Sequence, residues 1–443
     1  MKLSMRLTRK QVAALTIAMV LLGLVLFALP FLGPGAQSTQ SKPLHASWKS
    51  VNLSGVVPPS VHLSQVQLAD STTAWLVGRQ YVEPGPTIEG HVYKLKWEQG
   101  KWNLSEQYIF PYSIQYLHAA PDGTVRVVGR RYIGGVCCET YDQILRKDTG
   151  VSEWQEETEQ LHGIYLDSIL MLPGGQEGWA GGAKTIEDCK FTCSESYLLH
   201  YTNGSWVTDN TPNMTGRSVV SIAFAEGVGY AVGEAVMTYN GQKWAQVDLP
   251  QLPPGPTVPP NKEACPGLYF ACLSFYKVQV VSPDEFWVLG QRYSTLSDSE
   301  LVFLHMAGGR WNIVMPGSAI LQDRPSGTLP LSVSDFSVGS DGFGFLATSP
   351  IRIPGDKAYP QIIKVWPDGS LSYERIPQLE QTALFSVSNT DANHALALGL
   401  QSTFVATERN VDRSDSAVLL SYGYDEGGPQ TPAPTPSPIY LLP

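Results

Sequence analysis

The chain has 443 residues, enough for two or three ordinary domains or for one large repeat architecture. Charged residues make up only 16% against about 25% in ordinary soluble domains, while 41 Gly and 33 Pro exceed the usual shares, which argues against coiled coils, long surface helices and charged disorder. A formal net charge of −10 repels a phosphate backbone and argues against nucleic acid as a partner.

At the N-terminus, Lys2, Arg6, Arg9 and Lys10 precede an apolar run from Val12 to Leu32, and no acidic residue occurs before Asp70. A run of this length covers about 30 Å as a helix, the thickness of a bilayer's hydrocarbon core, and its basic flank favours a cytoplasmic N-terminus. Residues 1–33 are therefore expected to form an uncleaved signal anchor, a single-pass span of the cell membrane that leaves the rest of the chain extracytoplasmic. A cleaved signal peptide is the alternative, although its apolar region is ordinarily shorter and Pro34-Gly35-Ala36 is a poor cleavage site. Residues 34–45 are polar and irregular and suit a stalk.

From residue 46 to residue 425 the chain repeats itself. A short hydrophobic strand ending in small residues recurs as Ala74-Trp75-Leu76-Val77-Gly78, Val125-Arg126-Val127-Val128-Gly129, Gly178-Trp179-Ala180-Gly181-Gly182, Gly229-Tyr230-Ala231-Val232-Gly233 and Phe286-Trp287-Val288-Leu289-Gly290. Weaker copies follow at Gly344-Phe345-Leu346-Ala347 and His394-Ala395-Leu396-Ala397-Leu398-Gly399. The terminal glycines are 51, 53, 51 and 57 residues apart, and a final interval of 109 holds two units. A period near 50 indicates a propeller or a solenoid.

Each unit supplies four strands. An apolar stretch such as Asp167–Leu172 precedes the repeated strand across a tight turn, and a third strand follows it, closed by a turn and a tryptophan as in Tyr201-Thr202-Asn203-Gly204-Ser205-Trp206 and Tyr239-Asn240-Gly241-Gln242-Lys243-Trp244. Asn-Gly suits the positive φ angles of a hairpin turn, so the tryptophan opens a fourth, outer strand. Seven such units predict an all-β fold, a seven-bladed β-propeller. The seventh unit lacks its tryptophan strand, while Trp48-Lys49-Ser50-Val51-Asn52-Leu53 matches the pattern of Trp244-Ala245-Gln246-Val247-Asp248-Leu249. Residues 46–54 are accordingly expected to complete blade seven. The Pro/Thr-rich stretch within 426–443 is expected to be a disordered tail.

Six cysteines fall in three close pairs, Cys137-Cys138, Cys189/Cys193 and Cys265/Cys272. In an extracytoplasmic chain these are expected to be disulfides, with the connectivity left open. No Cys-x2-Cys knuckle or nearby histidine supports a zinc site, and no metal or cofactor is expected. His200 and His305 sit on third strands, with Lys96 and Thr238 as counterparts, and are expected to be solvated.

The repeated strand followed by Y-x-N-G-x-W or its variants resembles bacterial secreted BNR/Asp-box-like repeat proteins, within the WD40/YVTN/BNR-like group of propellers. That group includes sialidase-like hydrolases, whose S-x-D-x-G-x-x-W turn is only partly kept here: the turns at Thr202-Asn203-Gly204 and Asn240-Gly241 retain the Gly and Trp but lack the Ser and Asp. No arginine cluster or activated tyrosine can be matched, so the resemblance implies the architecture and no catalytic residue.

The expected function is that of a binding or assembly module for a protein or glycan, with a sialidase-like or other glycan-processing hydrolase as the alternative. In such a ring the connections between second and third strands and between successive blades open on one face, and here they are long: Arg79–Gly90, Arg130–Thr140, Ala183–Ser196, Pro250–Cys272, Gln291–Glu300 and Thr348–Pro360. Their aromatics, Tyr81, Tyr132, Phe191, Tyr269, Phe270, Tyr293 and Tyr359, are the candidate binding residues.

Overall fold

The computed structural model describes residues 47–82, 87–133, 139–186, 193–209, 216, 218–252, 273–295, 298–314, 331–350, 361–376, 382–406 and 411–424. Strand β1 (Trp48–Val51) is followed by blade one, made of β2 (His62–Asp70), β3 (Thr73–Val82), β4 (Thr87–Glu98) and β5 (Lys101–Phe110). Blade two is β6 (Ser113–Ala119), β7 (Val125–Ile133) and β8 (Glu139–Lys147), with an outer strand broken into β9 (Gln155–Glu156) and β10 (Leu161–His162). Blade three is β11 (Ile164–Met171), β12 (Gly178–Ile186), β13 (Cys193–Thr202) and β14 (Ser205–Thr208). Blade four is β15 (Ser221–Ala225), β16 (Val228–Val232), β17 (Val236–Tyr239) and β18 (Trp244–Gln246). Blade five is β19 (Leu273–Ser282), β20 (Glu285–Thr295), β21 (Asp298–Ala307) and β22 (Arg310–Ile313). Blade six is β23 (Leu331–Val338), β24 (Gly344–Pro350), β25 (Gln361–Val365) and β26 (Leu371–Arg375). Blade seven holds β27 (Thr382–Asp391), β28 (His394–Ala406) and β29 (Val411–Tyr422), and its outer strand is β1. The fold is a seven-bladed β-propeller.

The seam joins the two ends of the described chain. Trp48 pairs with Tyr422 and Val51 with Leu419 in an antiparallel ladder. Trp48 is buried against Phe345 and Tyr422, with ring centroids 5.3 Å away in each case, so the first strand also fills the space between blades six and seven. The core lies in the layers between blades, where Trp75, Trp179 and Trp287 of the second strands are almost wholly buried, each contributing on the order of 3 kcal/mol by burial. At the β13–β14 turn, Asn203 (φ 53°) and Gly204 (φ 81°) adopt the left-handed conformation that their sequence announces.

The glycine that ends the repeated strand has a structural cause. In six of the seven blades the innermost strand carries a bulge, placed between Leu63 and Gln65, Ile114 and Tyr116, Leu166 and Ser168, Phe275 and Lys277, Val333 and Asp335, and Leu384 and Ser386. In five of these the residue across the ladder at the bulge is Gly78, Gly129, Gly182, Gly290 or Gly399. A Cβ at Gly182 would sit 1.8 Å from the Tyr165 carbonyl oxygen, and at Gly290 or Gly399 2.5 Å from that of Ser274 or Ala383. In blade six the buried Thr348 takes this place, which is why that copy of the motif is weak in the sequence.

Two expectations are corrected. The connections between second and third strands are largely paired strand: the ladders run out to Val82↔Thr87, Ile133↔Glu139, Ile186↔Cys193, Thr295↔Asp298 and Ala406↔Val411. Blades one, two, three, five and seven thus project β-hairpin arms from one face, and blade four does not, its ladder ending at Val232↔Val236. His200 and His305 are stacked side chains. His305 lies flat on Trp287 (3.7 Å between centroids) and 3.1 Å from Glu285, and His200 lies flat on Trp179 (3.8 Å) and 3.0 Å from Glu177. The corresponding residue in blade one is Lys94, set over Trp75, and not Lys96.

No helix among the described residues is long and apolar enough to cross a membrane. The anchor at 1–33, the stalk and the tail lie outside the described residues.

Candidate functional site

All seven innermost strands line a central channel of about 700 Å³. Strand alternation alone would turn every second side chain toward it. The bulges add one residue each, so that consecutive pairs face the channel: Ser64 and Gln65, Gln115 and Tyr116, Asp167 and Ser168, Tyr276 and Lys277, Ser334 and Asp335, Phe385 and Ser386. The result is a wall rich in hydroxyls and amides.

Many of these side chains fasten one blade to the next, because an innermost strand has an edge of unpaired backbone groups that needs partners. Gln65 Oε1 accepts from the Leu117 N–H (3.0 Å) while its Nε2 donates to the Leu117 carbonyl (3.1 Å). Ser221 Oγ accepts from Val278 N–H, Asp335 Oδ2 from Val387 N–H, and Ser386 and Ser388 Oγ from Val66 and Leu68 N–H. Blades five and six are joined by the Lys277–Asp335 ion pair (2.9 Å) and blades three and four by the Ser218 hydroxyl donating to Asp167 (2.8 Å).

The channel carries few charges. Burial raises the pKa of Asp167 from its ordinary value, against the opposing hydrogen bond from Ser218 and the charge of Arg130. Tyr116 is pushed up to about 12, chiefly by burial and further by Asp167, so its phenol is neutral at physiological pH. Asp335 is clamped by Lys277 and by two backbone N–H groups.

At the end of the channel where the arms project, the second strands carry a repeated sequence: Gly78-Arg79-Gln80-Tyr81, Gly129-Arg130-Arg131-Tyr132 and Gly290-Gln291-Arg292-Tyr293. The two equivalent arginines behave differently. Arg130 is locked in a bidentate pair with the fully buried Asp142 (2.7 and 2.8 Å), whose Oδ2 also accepts from the Leu166 N–H. Arg79 is exposed, lines the channel mouth, lies over the Tyr81 ring at 5.8 Å and makes no ion pair with any described residue. Asp142 pairs across the ladder with Arg130; the residue paired with Arg79 is Gly90, where a Cβ would meet the Tyr112 carbonyl at 2.5 Å. The close approach of blade two excludes a carboxylate there.

No family model matches the chain, and no curated protein matches it. Among solved structures it is similar to the β-propeller domain of the Trilobed protease from Pyrococcus furiosus, with 9% identity and a TM-score of 0.49 over 84% of this chain and 98% of that one. It is also similar to Pyrococcus horikoshii acylaminoacyl peptidase (10% identity, TM-score 0.47, 80% of this chain and 52% of that one). A third is the α-L-arabinofuranosidase Arb93A from Fusarium graminearum (11% identity, TM-score 0.42, 84% of this chain and 96% of that one). The chain spans about half the length of the acylaminoacyl peptidase.

Of the candidate binding residues, Tyr81 and Tyr132 occupy matching places on the arms of adjacent blades, each 56% exposed. Tyr293 lies on the β20 arm, but its side chain is outside the described residues, as are Phe191, Tyr269, Phe270 and Tyr359. Cys193 begins β13 opposite Ile186; its side chain and the other cysteines, Cys137, Cys138, Cys189, Cys265 and Cys272, lie outside the description. No group of three or more His, Cys, Asp or Glu among the described residues is placed to hold a metal ion. Sequence reasoning missed the channel wall and Arg79. The signal for the wall was present in the alternation of Gln65, Val66, Gln67, Leu68 and of Ser386, Val387, Ser388 within the first strands.

Proposed function

We propose that this protein is a membrane-tethered, extracytoplasmic binding module whose partner, a protein or a glycan, docks on the arm-bearing face around the channel mouth. The observation that carries this is the pair Tyr81 and Tyr132, large aromatic side chains held more than half exposed at equivalent points of two neighbouring arms. Exposed aromatics on rigidly paired strands offer contact area at low entropic cost. The tether rests on the basic flank and apolar run of residues 1–33, and retention of the full chain in the membrane fraction after a carbonate wash tests it.

The hydrolase alternative has less support in the channel. Asp335 is bound to Lys277, and Tyr116 is made less acidic by its surroundings, the opposite of an activated nucleophile. The test of the binding role is capture of the partner from extracytoplasmic extract by immobilised full-length protein. Tyr81→Ser with Tyr132→Ser should abolish capture without lowering the melting temperature, whereas Gln176→Ser and Gln242→Ser, on the opposite face, should leave it intact. Capture lost only by the second pair would place the partner on the other face.

A further inference from the structure

We infer that the channel mouth beside blade one binds a carboxylated sugar, with Arg79 taking the carboxylate; the inference deepens the binding role proposed above and rests on it. The channel's charges are otherwise accounted for. Lys277 and Asp335 neutralise each other at 2.9 Å, and Asp167 accepts from Ser218 in the field of Arg130. Arg79 alone among the channel-lining cations has no carboxylate partner in the described chain, and Gly90 across the ladder prevents it from acquiring one of the kind that Arg130 has. A planar guanidinium without a counterion among the described residues, at the mouth of a cavity, suits the bidentate recognition of a carboxylate.

The neighbours of Arg79 specify what carries that carboxylate. His62 is its cross-strand partner on β2, the bulged Ser64 follows on the same strand, and Gln115 on β6 of blade two lines the same channel, its amide donating to Ser113 Oγ at 2.7 Å. Imidazole, hydroxyl and carboxamide groups along one channel wall both donate and accept, which matches the vicinal hydroxyls of a pyranose. Tyr81, two residues along the same strand face from Arg79, offers an exposed flat ring on which the apolar face of a sugar can rest. An acidic peptide would also satisfy Arg79, and the titration separates the two ligands.

The test is calorimetric titration of the full-length protein in detergent with trigalacturonate, and with galactotriose as the neutral control, at fixed ionic strength. Trigalacturonate should bind at least about tenfold more tightly than galactotriose, and Arg79→Gln should remove that advantage while the melting temperature stays unchanged. Arg79→Lys should retain part of it, because charge survives and the planar fork does not, and it serves as the variant should the Gln form be less stable. Equal binding of the two sugars, no binding of either, an unaltered Arg79→Gln variant, or tighter binding of a Glu-rich peptide than of trigalacturonate would each overturn the inference. Partner capture that persists on the arm tyrosines in any of those cases leaves the binding role standing and removes only the ligand class.

Discussion

Arg130 and Asp142 face each other across the β7–β8 ladder as a bidentate ion pair, and the carboxylate is fully buried. The pair is tied into the next blade, since Asp142 accepts from the Leu166 N–H and Arg130 reaches the Leu166 carbonyl. Replacing Arg130 by Gln leaves a buried carboxylate uncompensated, and a loss of about 3–5 kcal/mol is expected. The same change at the exposed Arg79 should fall within about 0.5 kcal/mol of zero. Urea denaturation of the two variants checks the contrast, and similar losses for both would contradict the separation of roles between equivalent positions.

A second prediction concerns the glycine opposite the bulge. A Cβ on Gly129 would lie 2.5 Å from Tyr112 Cε2 and 3.2 Å from Leu145 Cδ1, with both neighbours buried in the layer between blades one and two. Gly129→Ala should therefore destabilise by about 1–3 kcal/mol through overpacking. A change in the urea midpoint equivalent to less than half a kilocalorie would show that the blades give way at this point.

The architecture was legible in the sequence because the repeat is written in residues with steric jobs. Trp75, Trp179 and Trp287 fill the inter-blade layer, Gly78, Gly129 and Gly290 admit the bulge, and Asn203-Gly204 makes its hairpin turn. Trp48 carried the outer-strand signal to the far end of the chain, where it meets Tyr422. The arms were mistaken for loops because strand residues beyond the blade, such as Arg79–Val82 and Ala183–Ile186, alternate only between exposed and half-buried, so no fully buried face imposes a hydrophobic alternation on their sequence. The stacking of His200 and His305 on tryptophans was hidden because it depends on cross-strand register, which their spacing in sequence does not reveal. The channel mouth was hidden for a similar reason: a bulge shifts which residues face inward, and the lack of a partner for Arg79 becomes visible only when Gly90 and Asp142 are set in equivalent registers.

The seam supports a third prediction. Trp48 packs between Phe345 and Tyr422, and β1 covers the outer edge of β29. Trp48→Ala should cost about 3–5 kcal/mol by opening a cavity. Deleting residues 47–53 should cost more and promote aggregation, since it bares the hydrogen-bonding edge of β29 from Leu419 to Tyr422. Light scattering during a thermal ramp distinguishes the two: the point variant should melt earlier as a monomer, and the deletion should scatter at or before its transition. A deletion variant with the melting temperature of the parent would mean that β1 contributes nothing to closure.

The last prediction is a pH dependence with a defined sign. Burial alone would raise the pKa of Glu106, but hydrogen bonds from Lys94 and Tyr108 and the charges of Lys94 and Lys147 bring it down to about 2. Lys94 Nζ stands 2.8 Å from one carboxylate oxygen, and Lys147 Nζ, supplied by blade two, 3.5 Å from the other. In the unfolded chain a glutamate titrates near about 4.3. Because the folded value is the lower one, the stabilisation is fully present above the unfolded value and is lost as pH falls from there toward about 2. Glu106→Gln should therefore be less stable than the parent at pH 7, and the difference should shrink steadily between roughly pH 5 and pH 2. Melting temperatures of parent and variant across that range measure it. A difference that stayed constant with pH would mean that Glu106 contributes by packing and not by its charge.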